Sequence, residues 1–369
     1  MSGPLDGTRV IELGGIGPGP FAAMVLSDFG ADVVRIERPA TSPLLPGVVP
    51  ERDVLLRGRR SIRADLKSPA GLDLVLRLID RGDVLIDPFR PGTTERLGIG
   101  PDDMLERNPR LVYGRVTGWG QTGPWAQAAG HDLNYVALAG ILSAIGRTGT
   151  PPPPPLNLIG DFGGGGMLLA LGITSALVER ERSGAGQVVD AAMVDGVALQ
   201  FAAIMGLRAM GVWRDERESN LLDGGAPYYD SYETADGRYV TVAAIEPQFY
   251  AELLQRVGLE PADWPQNARD RWPELRRRLT TSFRSRTRDE WSEVLGGTDA
   301  CFAPVLSPDE AAAHPQNAAR AVYQTVNGVL QPGPAPRFSR TPGSIRTSPA
   351  SDDWGLEELA EPGGVQTQS

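Results

Sequence analysis

The 369-residue chain has only two histidines, His131 and His314. Histidine is the side chain whose ordinary pKa lets it take and return a proton near neutrality. His131 stands in Gly130-His131-Asp132-Leu133-Asn134-Tyr135, whereas His314 precedes Pro315 in a polar, Ala-rich segment. Proton chemistry by a histidine therefore falls to His131. Further on, Gly160-Asp161-Phe162 runs into Gly163 to Gly166, which reads as a second glycine-rich loop carrying a carboxylate. An imidazole and a carboxylate of matched strength can remove a proton from carbon and return it. Structural roles compete for the same residues. Asp161 would also cap a helix starting near Gly166, Glu246 would cap the helix opened by Pro247 or face solvent, and His131 alone fits a structural place equally well.

Other chemistries lack their residues. Neither a Gly-x-Ser-x-Gly elbow nor a Walker loop occurs. Two histidines and one cysteine make no zinc-like ligand cluster, and no carboxylate-rich calcium loop appears, so no metal is expected. The single cysteine, Cys301, lies in Ala-Cys-Phe-Ala and reads as a buried small hydrophobe. One cysteine permits no internal disulfide and fits a reducing compartment, hence an expected cytoplasmic location. A net charge of −10 speaks against a nucleic-acid partner while leaving room for a local basic pocket. The N-terminus lacks the basic start and apolar run of a signal peptide. The longest apolar run, Met167 to Val178, is too short to span a bilayer, so no membrane partner is expected.

The elements that must position these residues follow an α/β pattern. Arg9 to Leu13 reads as a strand, Phe21 to Phe29 as a helix entered through Gly17-Pro18-Gly19-Pro20, and Ala31 to Glu37 as a second strand, giving a parallel βαβ unit. Gly17-x-Gly19-x-x-Ala22 with Glu37 partly matches a dinucleotide fingerprint. Pro18 and Pro20, however, lack the N–H groups that such a turn aims at a pyrophosphate, and they read better as helix starters. A proline-rich loop over 40–52 precedes the basic stretch Leu56 to Lys67, which reads either as a solvated face or as a phosphate-binding edge. Pro69 to Asp80 is a helix, Val84 to Asp87 a strand leaving through Phe89-Arg90-Pro91-Gly92, and Leu111 to Val116 a strand leaving through a glycine-punctuated loop. An apolar helix around 135–145, a helix over 167–182 and a strand over 186–192 complete the first domain.

Val194 to Met210 reads as one long helix leading away. From Pro227 the pattern turns antiparallel, with a hairpin turning at Asp236-Gly237. The expected organisation is a Rossmann-like large domain over 1–190, a linker helix over 191–225, a small α/β domain over 226–310 and a return linker over 311–329. Residues 330–369 rejoin the large domain, ending in a Ser/Pro-rich acidic tail.

Several motifs in fixed order carry a resemblance. They are Val-Ile-Glu-Leu followed by Gly-Pro-Gly-Pro, Gly-Ala-Asp-Val-Val-Arg-Ile-Glu-Arg-Pro, Arg-Ser-Ile with Asp-Leu-Lys, Phe-Arg-Pro-Gly, Thr-Gly-Trp-Gly-Gln-Thr-Gly-Pro, Gly-His-Asp, Gly-Asp-Phe-Gly-Gly-Gly and Gly-Gln-Val-Val-Asp-Ala-Ala-Met. From Leu5 to about Arg340 the chain resembles the family III CoA-transferase superfamily. Ala244-Ile245-Glu246-Pro247 in the small domain and the Gly-His-Asp motif are similar to its racemase branch.

The resemblance implies an interlocked homodimer and an acyl-CoA thioester substrate whose α-carbon is inverted through an enolate. It implies His131 and Asp161 as the two acid/base groups, with Asp132 and Glu246 supporting His131. It implies CoA binding by the large domain through Arg38, Arg59, Arg60, Leu66, Lys67, Phe89, Arg90, Arg96 and Tyr135. CoA is then part of the substrate, and no separate cofactor is expected. The glycines after Asp161 would let substrate approach a helix end that stabilises the enolate. The alternative within the superfamily is CoA transfer, with Asp161 as the nucleophile.

Overall fold

The computed structural model describes residues 3–39 and 48–347. Most of the proline-rich loop and the acidic tail from 348 lie outside these. Two compact units emerge, one formed by the chain up to Ala139, Pro155–Phe201 and the part from Ala319, the other by Gly140–Pro154 and Ala202–Ala318.

The first unit is built on six parallel strands: β1 (Arg9–Leu13), β2 (Asp32–Glu37), β3 (Arg59–Arg63), β4 (Val84–Asp87), β5 (Val112–Thr117) and β6 (Val188–Ala192). They lie in the order β3-β2-β1-β4-β5-β6. The central strands are almost continuously apolar because both faces are covered. Ile11, Leu13, Val34, Ile36, Leu85 and Tyr113 pack on one side with Leu74 and Leu78, and Val10, Val33, Val84, Ile86 and Val112 on the other with Ala22, Leu26, Leu169 and Ile173. The covering helices include α1 (Pro18–Asp28), α2 (Pro69–Ile79), α3 (Thr93–Arg96), α4 (Pro101–Arg107), α5 (Asp132–Leu138), α6 (Leu168–Ser183) and α7 (Met193–Gln200). Pro18 and Pro69 occupy first-turn positions, where a missing N–H costs nothing. Downstream, a hairpin of Tyr323–Val326 and Val329–Pro332 belongs to this unit. Arg57 ties it down, donating to Gln331 Oε1 (3.0 Å) and the Pro332 carbonyl (2.7 Å).

Several expectations are corrected. The stretch 59–63 is not a solvated face but the outer strand of the sheet, and charged residues are common on such edges. Gly160 to Gly166 are not a loop: Leu158–Met167 is π-helical and continues directly into α6. The resulting run Leu158–Ser183 is long and apolar enough to cross a membrane by length and composition. One face of its α6 part, with Leu169 and Ile173, packs in the core against the sheet. The apolar segment after Tyr135 is the short α5 followed by a single turn over Ile141–Ala144. The long helix expected from Val194 is two, α7 and α8 (Ala202–Ala209), separated at Phe201.

The second unit has an antiparallel sheet of β7 (Tyr229–Glu233), β8 (Tyr239–Ala243) and β9 (Phe302–Pro304). Helices α9 (Pro247–Arg256), α10 (Trp272–Phe283) and α11 (Arg288–Leu295) cover it, and Tyr232, Val240, Leu253, Leu279, Phe283 and Trp291 form its core. Asp230 Oδ1 accepts from Arg147 Nη2 at 2.6 Å and its carboxylate also pairs with Arg276, which fastens the segment before the five prolines to this unit. Cys301 is half-buried rather than buried, and takes a left-handed conformation (φ +51°).

Candidate active site

In a sheet of this order the connections leave in opposite directions from β1 and β4, and the crevice outside their carboxyl ends is where such folds bind ligands. A cavity of about 270 Å³ lies there. It is lined by Ile16, Gly17 and Pro18 after β1, Pro88 to Pro91 after β4, Thr117 to Trp119 after β5, and by His131, Tyr135 and Asp161.

The exit of β4 is shaped by a buried acid. Asp87 accepts from the Phe89 N–H and from Thr94 Oγ1, each at 2.9 Å, and burial raises its pKa despite these donors and Arg115. The turn so fixed sets Arg90 exposed on the cavity wall and holds Phe89 under Arg38, whose guanidinium carbon lies 6.0 Å from the ring centre. Two arginines, one following β2 and one following β4 on either side of β1, are thereby gathered at one edge of the crevice.

The loop after β5 is held by aromatic packing. Trp119 meets Tyr135 edge to face at 4.7 Å and Trp125 at 5.0 Å. A Cβ on Gly118 would stand 2.2 Å from the Tyr135 ring, so glycine is required for the close approach. Tyr135 donates its hydroxyl proton to the Gly130 carbonyl. Burial, followed by the charge of Asp161, pushes the phenol up to about 12, so the donor keeps its proton at neutral pH. Tyr135 thus braces the residue that precedes His131.

His131 caps α5 and is exposed on the cavity wall; its N–H donates to Asn134 Oδ1 at 3.0 Å. Asp132, the next residue and the one that the resemblance gives as a support for His131, is buried, and its hydrogen bonds go to another element. Its Oδ2 accepts from the N–H groups of Gly160 and Asp161, both at 2.7 Å, and its Oδ1 is buried without a hydrogen-bond partner. Those two N–H groups belong to the first turn of the π-helix and have no partner within it. Asp132 therefore pins the backbone of Asp161. The Asp161 carboxylate is half-buried and takes a hydrogen bond from Asn157 Nδ2 at 3.3 Å. Its pKa is raised, chiefly by burial and further by Asp132, against the opposing effects of Asn157 and His131.

The glycines after Asp161 serve packing instead of substrate access. A Cβ on Gly164 would stand 2.8 Å from Val197 N, and one on Gly166 2.9 Å from Pro18 O, so α7 and α1 fill those faces. Phe162 stacks on Phe21 at 4.6 Å.

The remaining candidates are dispersed. Arg59 is fully buried; it pairs with Glu12 and donates to the carbonyls of Pro20 (2.9 Å) and Leu55. That burial assigns its guanidinium to the fold. Arg60 is half-buried on β3, Leu66 packs at the edge of the core, and Lys67 is exposed beyond it. Arg96 is exposed and donates to Thr93 Oγ1 at 3.2 Å. Glu246 is exposed at the start of α9 in the second unit, without a side-chain cap bond. Two further site residues carry little signal in the sequence. Asn157 lies four residues before Asp161, a spacing that places them together only once the stretch is seen as helix. Gly17 shows no sign of a role beside Asp161, only its place in a partial nucleotide fingerprint.

Fold and site together define an α/β protein whose switch-point crevice presents an imidazole, a carboxylate of raised pKa and arginines at one edge. Residues 5–352 match CoA-transferase family III, and the chain belongs to that family. It is 46% identical over 99% of its length to the α-methylacyl-CoA racemase of Mus musculus and 45% identical over 97% to that of Homo sapiens, covering 94% and 93% of those proteins. A CAIB/BAIF family protein from Brucella suis superposes with a TM-score of 0.77 at 27% identity, covering 97% of this chain and all of that one.

Proposed function

We propose that this protein is a racemase that inverts the α-carbon of 2-methyl-branched acyl-CoA thioesters by proton transfer through an enolate. The observation that carries the reading is that His131 and Asp161, far apart in sequence, line one cavity. One base removes the α-proton, the planar enolate forms, and the other group returns a proton to the opposite face. The rise in the pKa of Asp161 brings a carboxylate closer to an imidazole in basicity, which suits a reaction run in both directions. The start of α5, directly after His131, puts a helix N-terminus at the cavity, and its positive end favours charge on the enolate oxygen. The names of the mouse and human relatives support the same chemistry.

The CoA moiety is part of the substrate and lies along the strand ends, its phosphates near Arg38, Arg90 and Arg96, with Arg60, Leu66, Lys67 and Phe89 beyond. The working assembly is an interlocked homodimer in the cytoplasm in which Glu246 of one chain supports His131 of the other. The family match favours one second reading, CoA transfer with Asp161 as nucleophile.

Incubating a single (2R)- or (2S)-2-methylacyl-CoA without any acceptor acid separates the two. Inversion with uptake of solvent deuterium at the α-carbon is the expected result. Turnover only when a free carboxylic acid is added, with hydroxylamine trapping an acyl group on Asp161, would replace racemisation by transfer.

A further inference from the structure

The first loop of the chain bears on the Asp161 carboxylate, and any part it plays in the reaction rests on the proposed role of Asp161 as one of two bases. Gly17 has φ +68°, and a Cβ there would stand 2.9 Å from Asp161 Oδ2 and 3.2 Å from its Cγ. With ψ −114° this is not the left-handed helical region that asparagine also visits but a positive-φ conformation that glycine alone adopts readily. The carboxylate adds a second constraint, since a side chain at position 17 would press on the Asp161 oxygens and they would have to shift.

Position 17 is itself fixed from below. Gly14 N donates to the Ile36 carbonyl at 2.8 Å, and Arg35 Nη2 donates to the Gly15 carbonyl at 3.0 Å. Arg35 is held in turn by Glu12, which is wholly buried, and by Glu37 at 2.9 Å. Just beyond Gly17, Pro18 opens α1. The short stretch between the Arg35 clamp and α1 has little freedom to move relative to the sheet.

We infer that Gly17 and Arg35 are positioning residues for the reaction: the buried Glu12–Arg35 pair locks the loop over 14–17, and the bare backbone of Gly17 sets where the Asp161 carboxylate meets the α-carbon. Asn157 and Asp132 hold the same carboxylate and its backbone from the helix side, so Asp161 is located between two independently anchored elements. None of these contacts reaches His131. The consequence is asymmetric: disturbing the loop displaces one base and leaves the other in place.

The test is α-proton exchange in D₂O, measured separately for the 2R and 2S epimers of one 2-methylacyl-CoA. The variants are Gly17→Asn, which crowds the carboxylate and strains a backbone that only glycine adopts readily, so that it disturbs the loop in both ways, and Arg35→Lys, which keeps a charge beside Glu12 but loses the fork that reaches Gly15. Asp161→Asn in the same assay identifies the epimer that Asp161 serves. Gly17→Asn is expected to slow exchange of that epimer by about 10²-fold, the effect of misplacing a reacting group by about 1 Å, and to leave the other epimer within a few-fold of wild type. Arg35→Lys should show the same bias more weakly. The ratio between epimers is unaffected by any fraction of unfolded protein, because both are processed by the same folded molecules. An equal fall for both epimers, or none, in Gly17→Asn overturns the inference while leaving the two-base reading intact. Absence of epimer bias in Asp161→Asn overturns that reading and the inference with it.

Discussion

Burial gives Asp161 a proton affinity above that of a free aspartate, and the same burial makes its charged form a burden on the fold. The sign comes from linkage. Because the folded state holds the Asp161 proton more tightly than the unfolded chain, stability falls as pH rises from the ordinary value of 3.8 through the raised one, and the penalty is fully present above both. Asp161→Asn is therefore expected to raise the melting temperature at pH 7 while abolishing inversion, with the gain shrinking as the pH is lowered towards 3.8. A melting temperature at pH 7 at or below that of wild type would show that the carboxylate contributes favourable contacts outweighing its desolvation. At this scale the sequence is legible where a residue type is rare. His131 stands out as one of two histidines, and Asp161 through its glycine-flanked motif. The direction in which Asp132 points is not legible, because its partners are the N–H groups of Gly160 and Asp161, and the choice between these and the adjacent His131 is made by packing of α5 on the π-helix.

At the scale of elements, the parallel strands can be read directly, since buried apolar runs bounded by turn residues leave few alternatives. Two stretches that differ from expectation each carry a composition that opposes the element formed. Residues 59–63 hold three arginines in five positions, unlike a buried strand, yet they form an edge strand in which Arg59 is neutralised by Glu12. Gly163 to Gly166 have poor helix propensity, and tertiary packing overrides it: α7 and α1 approach so closely that nothing larger fits. Gly164→Ala is expected to destabilise the protein by about 1–3 kcal/mol, the usual cost of overpacking, because its Cβ would press on Val197 N, a backbone atom that cannot yield. Gly163→Ala should cost less, since its nearest neighbour is the tip of the Gln200 side chain at 3.0 Å and the nearest backbone atom, Leu158 O, is at 3.1 Å rather than 2.8 Å. Urea midpoints with unchanged slopes measure both. Equal losses at the two positions would show that propensity, and not helix contact, decides what these glycines contribute.

For the whole molecule, the exposed surface argues for a partner of the same kind. On α6 and the turn before it, Met167, Leu171 and Val178 recur at the spacing of one helix face and are exposed, Leu171 by 61% and Val178 by 65%. Leu138, Leu158 and Leu199 in the same unit are exposed as well. A stripe of this kind on a helix whose other face is core is the sort of surface that a partner covers, and the homodimer proposed above would cover it with an isologous second copy. Light scattering at assay concentration is expected to give twice the chain mass. The sharper prediction concerns how sites are shared. If Glu246 of one chain supports His131 of the other, then refolding a mixture of His131→Ala and Glu246→Ala chains makes hybrids in which one site lacks both residues and the other keeps both. Random pairing makes about half of the dimers hybrid, so recovery of up to roughly a quarter of wild-type activity is expected from two inactive preparations. Were Glu246 to serve the histidine of its own chain, each hybrid site would lack one residue, and mixing would restore nothing. Dimers by light scattering with no recovered activity would therefore retain the assembly and remove Glu246 from the partner's site.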